Sequence, residues 1–262
     1  MTRHGGRNRP YFGLDAPPIV AGYAVLGIAG VVLLGVQVGA GIDLLGVGYW
    51  MTPVGLLVAG AMAYSSFRGK VLVRDRLLDR LGLHEDDDVL DLGCGSGLML
   101  LGAATRAPRG TATGIDLWRA VDQAGSSRER CLANASILSV ADRVTLIDGD
   151  MSKLPLHDSS VDVVLACVAI HNIHDQATRA RTIHEAARVL RPGGRLGVID
   201  FTRTAEYAAA ARAVGLTDVH RSGLTWRMYP PVRIVTAMKR PSPRGRDGRP
   251  PGRSAHRDAR PR

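Results

Sequence analysis

The sequence predicts an α/β domain built on a mostly parallel sheet with helices on both faces, preceded by a transmembrane helical hairpin. Three observations carry this prediction. Over residues 89–201, short apolar runs alternate with stretches of helical periodicity, the order that yields a parallel sheet. The run Val89-Leu90-Asp91-Leu92 is followed by glycines at 93, 95 and 97 and an apolar segment from Leu98, which reads as strand, tight turn and helix. Upstream, residues 19–38 and 44–67 form two uncharged runs, each long enough to cross roughly 30 Å of hydrocarbon as a helix.

Taken in order, residues 1–16 are polar and rich in glycine and arginine, and are expected to be disordered. Residues 17–67 hold the two spans. Glycines 27, 30, 35 and 39 on the first, with Gly55, Ala59, Gly60 and Ala63 on the second, offer small faces for helix contact. Tyr49 and Trp50 suit a membrane interface. Arg3, Arg7 and Arg9 precede the first span and Arg68, Lys70, Arg74, Arg76 and Arg80 follow the second, whereas the connection carries only Asp43. This charge bias predicts a multi-pass protein of the cell membrane with both termini and the α/β domain cytoplasmic. A cleaved signal peptide and a buried helical cap are the other readings of the stretch; against the first, the second run would still stop transfer.

Residues 68–240 are expected to form the α/β domain. An amphipathic helix over 68–83 leads into the first strand, 89–92, and a helix follows over 98–105. The second strand, 111–116, ends at Asp116; the polar stretch 117–127 precedes a helix over 127–140 and has the position of an insertion bordering a substrate. Strands follow at 144–148 and 161–169, the latter a β-branched run suited to the middle of a parallel sheet. A helix over 175–190, a turn at Arg191-Pro192-Gly193-Gly194, a strand over 195–201 and a helix over 205–214 come next. Residues 218–222 and 233–239 read as a closing antiparallel pair, and 241–262 as a disordered basic tail.

The formal net charge of +10 does not describe the folded part. Residues 239–262 hold nine basic and two acidic side chains, and residues 15–238 hold 22 of each sign. The basic tails therefore read as solvated or membrane-surface segments rather than nucleic-acid readers. Cys94, Cys131 and Cys167 have neither the spacing of a zinc site nor an even count for a disulfide framework, and read as small thiols in a reducing compartment.

The glycine turn lies beside two acids, Asp91 on the first strand and Asp116 at the end of the second, which together bracket a ribosyl ligand. Leu98 occupies the third glycine place of a dinucleotide fingerprint, which argues against a bound pyrophosphate. The spacing Asp91-Leu92-Gly93-Cys94-Gly95-Ser96-Gly97 resembles the signature of class I S-adenosylmethionine-dependent methyltransferases, of the type 11 or UbiE-like kind. Four further segments extend the resemblance: Gly114-Ile115-Asp116-Leu117, Gly149-Asp150-Met151, Val161-Asp162-Val163-Val164 and Leu190-Arg191-Pro192-Gly193-Gly194. It implies a Rossmann-like seven-stranded sheet whose last strand is antiparallel, with S-adenosyl-L-methionine as cofactor. By the same resemblance Gly93, Gly95 and Gly97 approach the methionine part, Asp91 its ammonium group, Asp116 the ribose hydroxyls, Leu117 and Met151 the adenine faces, and Asp150 the adenine amine. Cys167 lies on the strand end that faces the reacting centre, and Asp162 is read as a turn residue rather than a ligand contact.

His171 and His174 follow that strand end, and His171 is the preferred candidate for a general base. No third metal ligand accompanies the two histidines, so no metal is assigned. Residues 166–169 read Ala-Cys-Val-Ala where many amino-methylating nucleic-acid and protein-glutamine enzymes carry Asn-Pro-Pro-aromatic, so nucleic acid is not an expected partner. The resulting expectation is a membrane-anchored methyltransferase acting on a small-molecule or lipid-like acceptor. The alternative is a non-catalytic membrane scaffold or sensor that binds the same cofactor.

Overall fold

The computed structural model describes residues 9–41, 46–118 and 127–242. The expected Asp43 connection, most of the 117–127 stretch and nearly all of the basic tail lie outside these residues. Two antiparallel helices, α1 (Pro17–Ala40) and α2 (Val47–Tyr64), form the hairpin; by length and composition both could cross a membrane. Their contact is made by a subset of the expected small residues. A Cβ on Gly27 would lie 2.8 Å from Leu56, one on Gly30 2.6 Å from the Thr52 nitrogen, and one on Gly55 2.3 Å from the Gly27 nitrogen. Gly35, Gly39 and Gly60 have nothing within 4 Å of such an atom and do not take part.

The second helix does not stop at the end of its apolar run. It passes through a π-helical turn, Ser65–Gly69, into α3 (Lys70–Leu81), whose Val73, Leu77, Leu78 and Leu81 bury against the sheet. Gly197 makes this close approach possible, since a Cβ there would meet Leu81 at 2.8 Å and Leu77 at 2.9 Å. One continuous helix thus joins the apolar hairpin to the α/β domain.

Seven strands form one sheet in the order β3-β2-β1-β4-β5-β7-β6. The strands are β1 (Val89–Leu92), β2 (Ala112–Asp116), β3 (Val144–Asp148), β4 (Val161–Cys167), β5 (Leu190–Asp200), β6 (Thr217–Arg221) and β7 (Arg233–Met238). The first five are parallel and β7 runs antiparallel to both β5 and β6, as expected. Alternate side chains feed opposite faces: Leu90, Leu92, Val164 and Ala166 pack with α6 (Gln176–Val189) and α7 (Thr204–Ala213), whereas Val89, Val163 and Leu165 pack with α3. α4 (Leu98–Arg106) and α5 (Arg128–Ile137) fill the edge nearest β2 and β3.

Two expectations are corrected. The Arg191-Pro192-Gly193-Gly194 turn is part of β5: the Gly193 N–H donates to the Lys239 carbonyl at 2.9 Å and the Lys239 N–H to the Gly194 carbonyl at 2.8 Å. Sheet pairing therefore absorbs the bend, which Gly193 permits with φ of 83°. Residues 9–16, expected to be disordered, are fixed on the domain. Lys70, itself buried, donates from Nζ to the carbonyls of Phe12 at 3.0 Å and Gly13 at 2.7 Å and to Asp15 Oδ1 at 3.1 Å. Tyr11 exchanges two 2.9 Å hydrogen bonds with the side chain of Asn134, and the Arg130 guanidinium stands 5.3 Å from its ring centre. Replacing Lys70 with methionine strands these acceptors and is expected to cost about 1–3 kcal/mol of stability. The expected result is a lower Tm together with faster proteolysis ahead of Pro17.

Candidate active site

The parallel strands deliver their carboxyl ends to one edge, and ligands of open α/β sheets bind at this edge where the strand order reverses, here between β1 and β4. Asp91 leads the site from β1. It is 1 % exposed, its Oδ2 accepts the Leu100 N–H of the first turn of α4 at 2.9 Å, and its Oδ1 is buried without a hydrogen-bond partner. Burial, against the Leu100 hydrogen bond and aided by the nearby charge of Asp116, pushes the carboxyl up to about 8. A buried carboxylate oxygen with no donor is costly unless a ligand supplies one.

The glycine turn follows directly. Gly93 has φ of 70°, and a Cβ there would lie 2.4 Å from that of Ala169 and 3.3 Å from Met151 Cε, so only glycine leaves this space open. Asp116 ties the turn to β2, Oδ2 accepting the Gly95 N–H and Oδ1 the Trp118 N–H, both at 2.8 Å. Each oxygen keeps a further lone pair for a ligand hydroxyl.

Two adjoining hollows lie along this edge and share Gly93, Gly95, Cys167, Val168 and Asn172. The smaller, about 300 Å³, is lined by Asp116, Leu117, Trp118, Asp150 and Met151. Asp150 Oδ1 also accepts the Ser152 N–H at 2.8 Å, so it acts as a turn cap while facing the hollow. The larger, about 660 Å³, takes Asp91, Gly93, Ser96, Met99 and His171 from the domain, Ile19, Tyr23 and Met62 from the hairpin, and Met228, Tyr229 and Pro230 from the connection between β6 and β7. Gly97 lines neither hollow; with φ of 88° it opens α4 against Leu101 and Cys131. Asp162 lies at the opposite end of the sheet, accepting the Asp88 N–H and pairing with Arg191.

β4 ends in Cys167, followed by Val168 in the left-handed region at φ of 51°, an uncommon conformation for a β-branched residue that throws the chain into the turn Ile170–Asn172. Burial and then the charges of Asp91, Asp15 and Asp200 hold the Cys167 thiol well above its usual range, so it stays protonated. His171 rides on the turn. Its Nδ1 lies 3.1 Å from Oδ1 of Asp200, and its ring meets that of Phe201 edge-on at 4.5 Å between centres. Asp200, fully buried at the end of β5, also accepts the Phe201 N–H at 2.8 Å and the Tyr207 hydroxyl at 3.2 Å. Burial and the adjacent Asp200 charge keep that hydroxyl protonated and donating. His174 lines the smaller hollow instead.

Sequence reasoning missed Asp200, Lys70 and residues 12–16. For Asp200 a signal existed, since an acid closing an apolar strand at the ligand edge is the same pattern that picked out Asp116. For residues 12–16 none did.

Residues 90–198 match the family described as the methyltransferase domain. Over this stretch the chain is similar to S-adenosylmethionine-dependent methyltransferases. The chain is 40 % identical over 127 residues to 27-O-demethylrifamycin SV methyltransferase of Amycolatopsis mediterranei (strain S699), covering 48 % of this chain and 43 % of that one. It is 32 % identical over 133 residues to the ubiquinone/menaquinone biosynthesis C-methyltransferase UbiE of Roseobacter denitrificans (strain ATCC 33942 / OCh 114), covering 50 % and 49 %. The chain thus spans about half the length of the curated relatives it matches. Its fold superposes on geranyl diphosphate C-methyltransferase from Streptomyces coelicolor A3(2), solved with Mg²⁺, geranyl-S-thiolodiphosphate and S-adenosyl-L-homocysteine, with a TM-score of 0.52 at 17 % identity over 64 % of this chain and 75 % of that one.

Proposed function

We propose that the protein is a membrane-anchored methyltransferase that moves a methyl group from S-adenosyl-L-methionine to a hydroxyl-bearing small or lipid-like acceptor. The observation that carries this reading is the unpartnered Asp91 oxygen beside the open Gly93 turn, in a hollow that also holds the His171 and Asp200 pair. The residues fit the cofactor: Asp91 would take its ammonium group, Gly93 and Gly95 its methionine stem, Asp116 its ribose hydroxyls, and Asp150, Leu117 and Met151 its adenine. When bound, the cofactor supplies an electrophilic methyl on a cationic sulfur.

The chain's own part is alignment and proton handling. His171, donating from Nδ1 to Asp200, keeps Nε2 as the basic nitrogen, which takes the acceptor's proton as its oxygen attacks. Alignment of the reacting atoms within the larger hollow supplies much of the remaining rate. The wall of Ile19, Tyr23, Met62, Met228 and Pro230 suits an apolar acceptor body. The relatives named for 27-O-demethylrifamycin SV and for ubiquinone/menaquinone biosynthesis support an acceptor of this kind. The hairpin would hold the site at the cytoplasmic face, following the distribution of Arg3, Arg7, Arg9, Arg68 and Lys70.

Transfer of label from the cofactor's methyl group into a lipid and metabolite extract, by the full chain in membranes, tests the proposal. A labelled apolar product is expected with the wild type. Asp116→Ala is expected to lose about 1.5–3 kcal/mol of cofactor affinity and the product with it. No labelled product from any fraction, with cofactor binding intact, would overturn the catalytic reading.

A further inference from the structure

We infer that the turn joining β6 to β7 is a third membrane contact, one that lies in the lipid headgroup layer and seats the larger hollow at the bilayer surface. The inference rests on the hairpin crossing a membrane, as proposed above. Thr225 and Val232 exchange backbone hydrogen bonds at 2.8 and 3.1 Å and close the turn. Met228, 6 % exposed, pins it from beneath by packing with Val73 and Leu77 of α3. The other side presents large apolar surface to solvent: Trp226 is 74 % exposed, Leu224 49 % and Tyr229 36 %.

The turn's position decides its partner. The Tyr229 N–H donates to Ser65 Oγ at 2.8 Å, and Gly69 has no room for a Cβ, because the Arg227 carbonyl oxygen would lie 1.7 Å away. The turn therefore packs against the helix just where α2 ends its apolar run. At that level Tyr64 and Phe67 are exposed, as are the cations of Arg68 and Arg227. Aromatic rings with arginines beside them at the end of an apolar helix match the region between acyl chains and anionic headgroups. Because the turn is held to Ser65 and Gly69, its exposed apolar side chains are fixed at the end of the apolar hairpin, which selects a lipid surface over a separate protein partner. Because Met228, Tyr229 and Pro230 also wall the larger hollow, this contact turns that wall toward the bilayer and favours lateral entry of a membrane-dissolved acceptor.

Tryptophan emission reads this directly, without turnover. The full chain is placed in nanodiscs of phosphatidylcholine and phosphatidylglycerol carrying bromine either near the headgroup end of the acyl chain or near its terminus. The contributions of Trp226 and Trp50 are obtained as differences between wild type and Trp226→Phe or Trp50→Phe, so that Trp118 cancels. The Trp226 share is expected to lose most of its emission with the shallow bromines and less with the deep ones. Quenching of the Trp50 share with none of the Trp226 share would overturn the inference and leave the hairpin reading standing. Quenching of neither would remove the membrane reading, and this inference with it.

Discussion

His171→Ala is expected to lower kcat by about 10²–10⁴-fold while leaving cofactor affinity unchanged, the range spanned by loss of a positioned general base. The expectation follows from geometry. His171 faces the larger hollow on a short turn, and Asp200, fully buried and fixed by the Phe201 N–H and Tyr207 hydroxyl, holds its Nδ1. Asp200 is a positioning residue, so Asp200→Asn is expected to reduce kcat less than His171→Ala does and to leave cofactor affinity unchanged. A purely structural role for Asp200 would lower the yield of folded enzyme without changing kcat per folded molecule. Unchanged kcat in His171→Ala, with any acceptor that the wild type methylates, would mean that alignment alone drives the reaction.

The second large effect concerns Asp91. Its carboxyl is raised from 3.8 to about 8 chiefly by burial, so below pH 8 the unliganded protein holds it neutral. A cationic ammonium requires the ionised form, and binding then releases a proton. Cofactor affinity is therefore expected to fall by up to about tenfold per pH unit as pH drops below 8. Titration in buffers of different ionisation enthalpy should detect the released proton near pH 7. Stability runs the other way: a folded-state pKa above the unfolded value gives a contribution that is complete below pH 4 and lost as pH rises toward 8. Asp91→Asn should abolish both dependences, giving weak, pH-independent cofactor binding and a higher unliganded Tm than wild type at pH 8. Binding that stays tight and pH-independent in the wild type would show that Asp91 does not meet the ammonium group.

Much of this was legible in the sequence because it depends on local chemistry. The strand-glycine-helix succession at 89–105 and the acids closing β2 and opening the 150 turn are set by residues near one another in the chain, and Asp91, Gly93, Gly95, Asp116, Asp150 and Met151 do converge on one sheet edge. Gly97, which the resemblance assigns to the methionine part, lines neither hollow and stands at the start of α4. The His171 partner was not found, because 29 residues separate it from Asp200 and only the parallel pairing of β4 with β5 brings them together. The order imposed on residues 9–16 was invisible for a similar reason. Their polar composition signals disorder, and the signal fails because a buried amine 55 to 58 residues away collects their carbonyls and Asp15.

A leash can be exchanged for any other leash of equal length; a wall cannot. Ile19, Tyr23 and Met62 belong to the apolar hairpin and also close the chamber in which His171 stands, while the unbroken helix through Ser65–Gly69 clamps one to the other. On the proposed function the hairpin is accordingly answerable to two solvents at once, oil on its outer face and reactant on its inner one, and grafting a foreign anchor in its place would redraw which molecules fit.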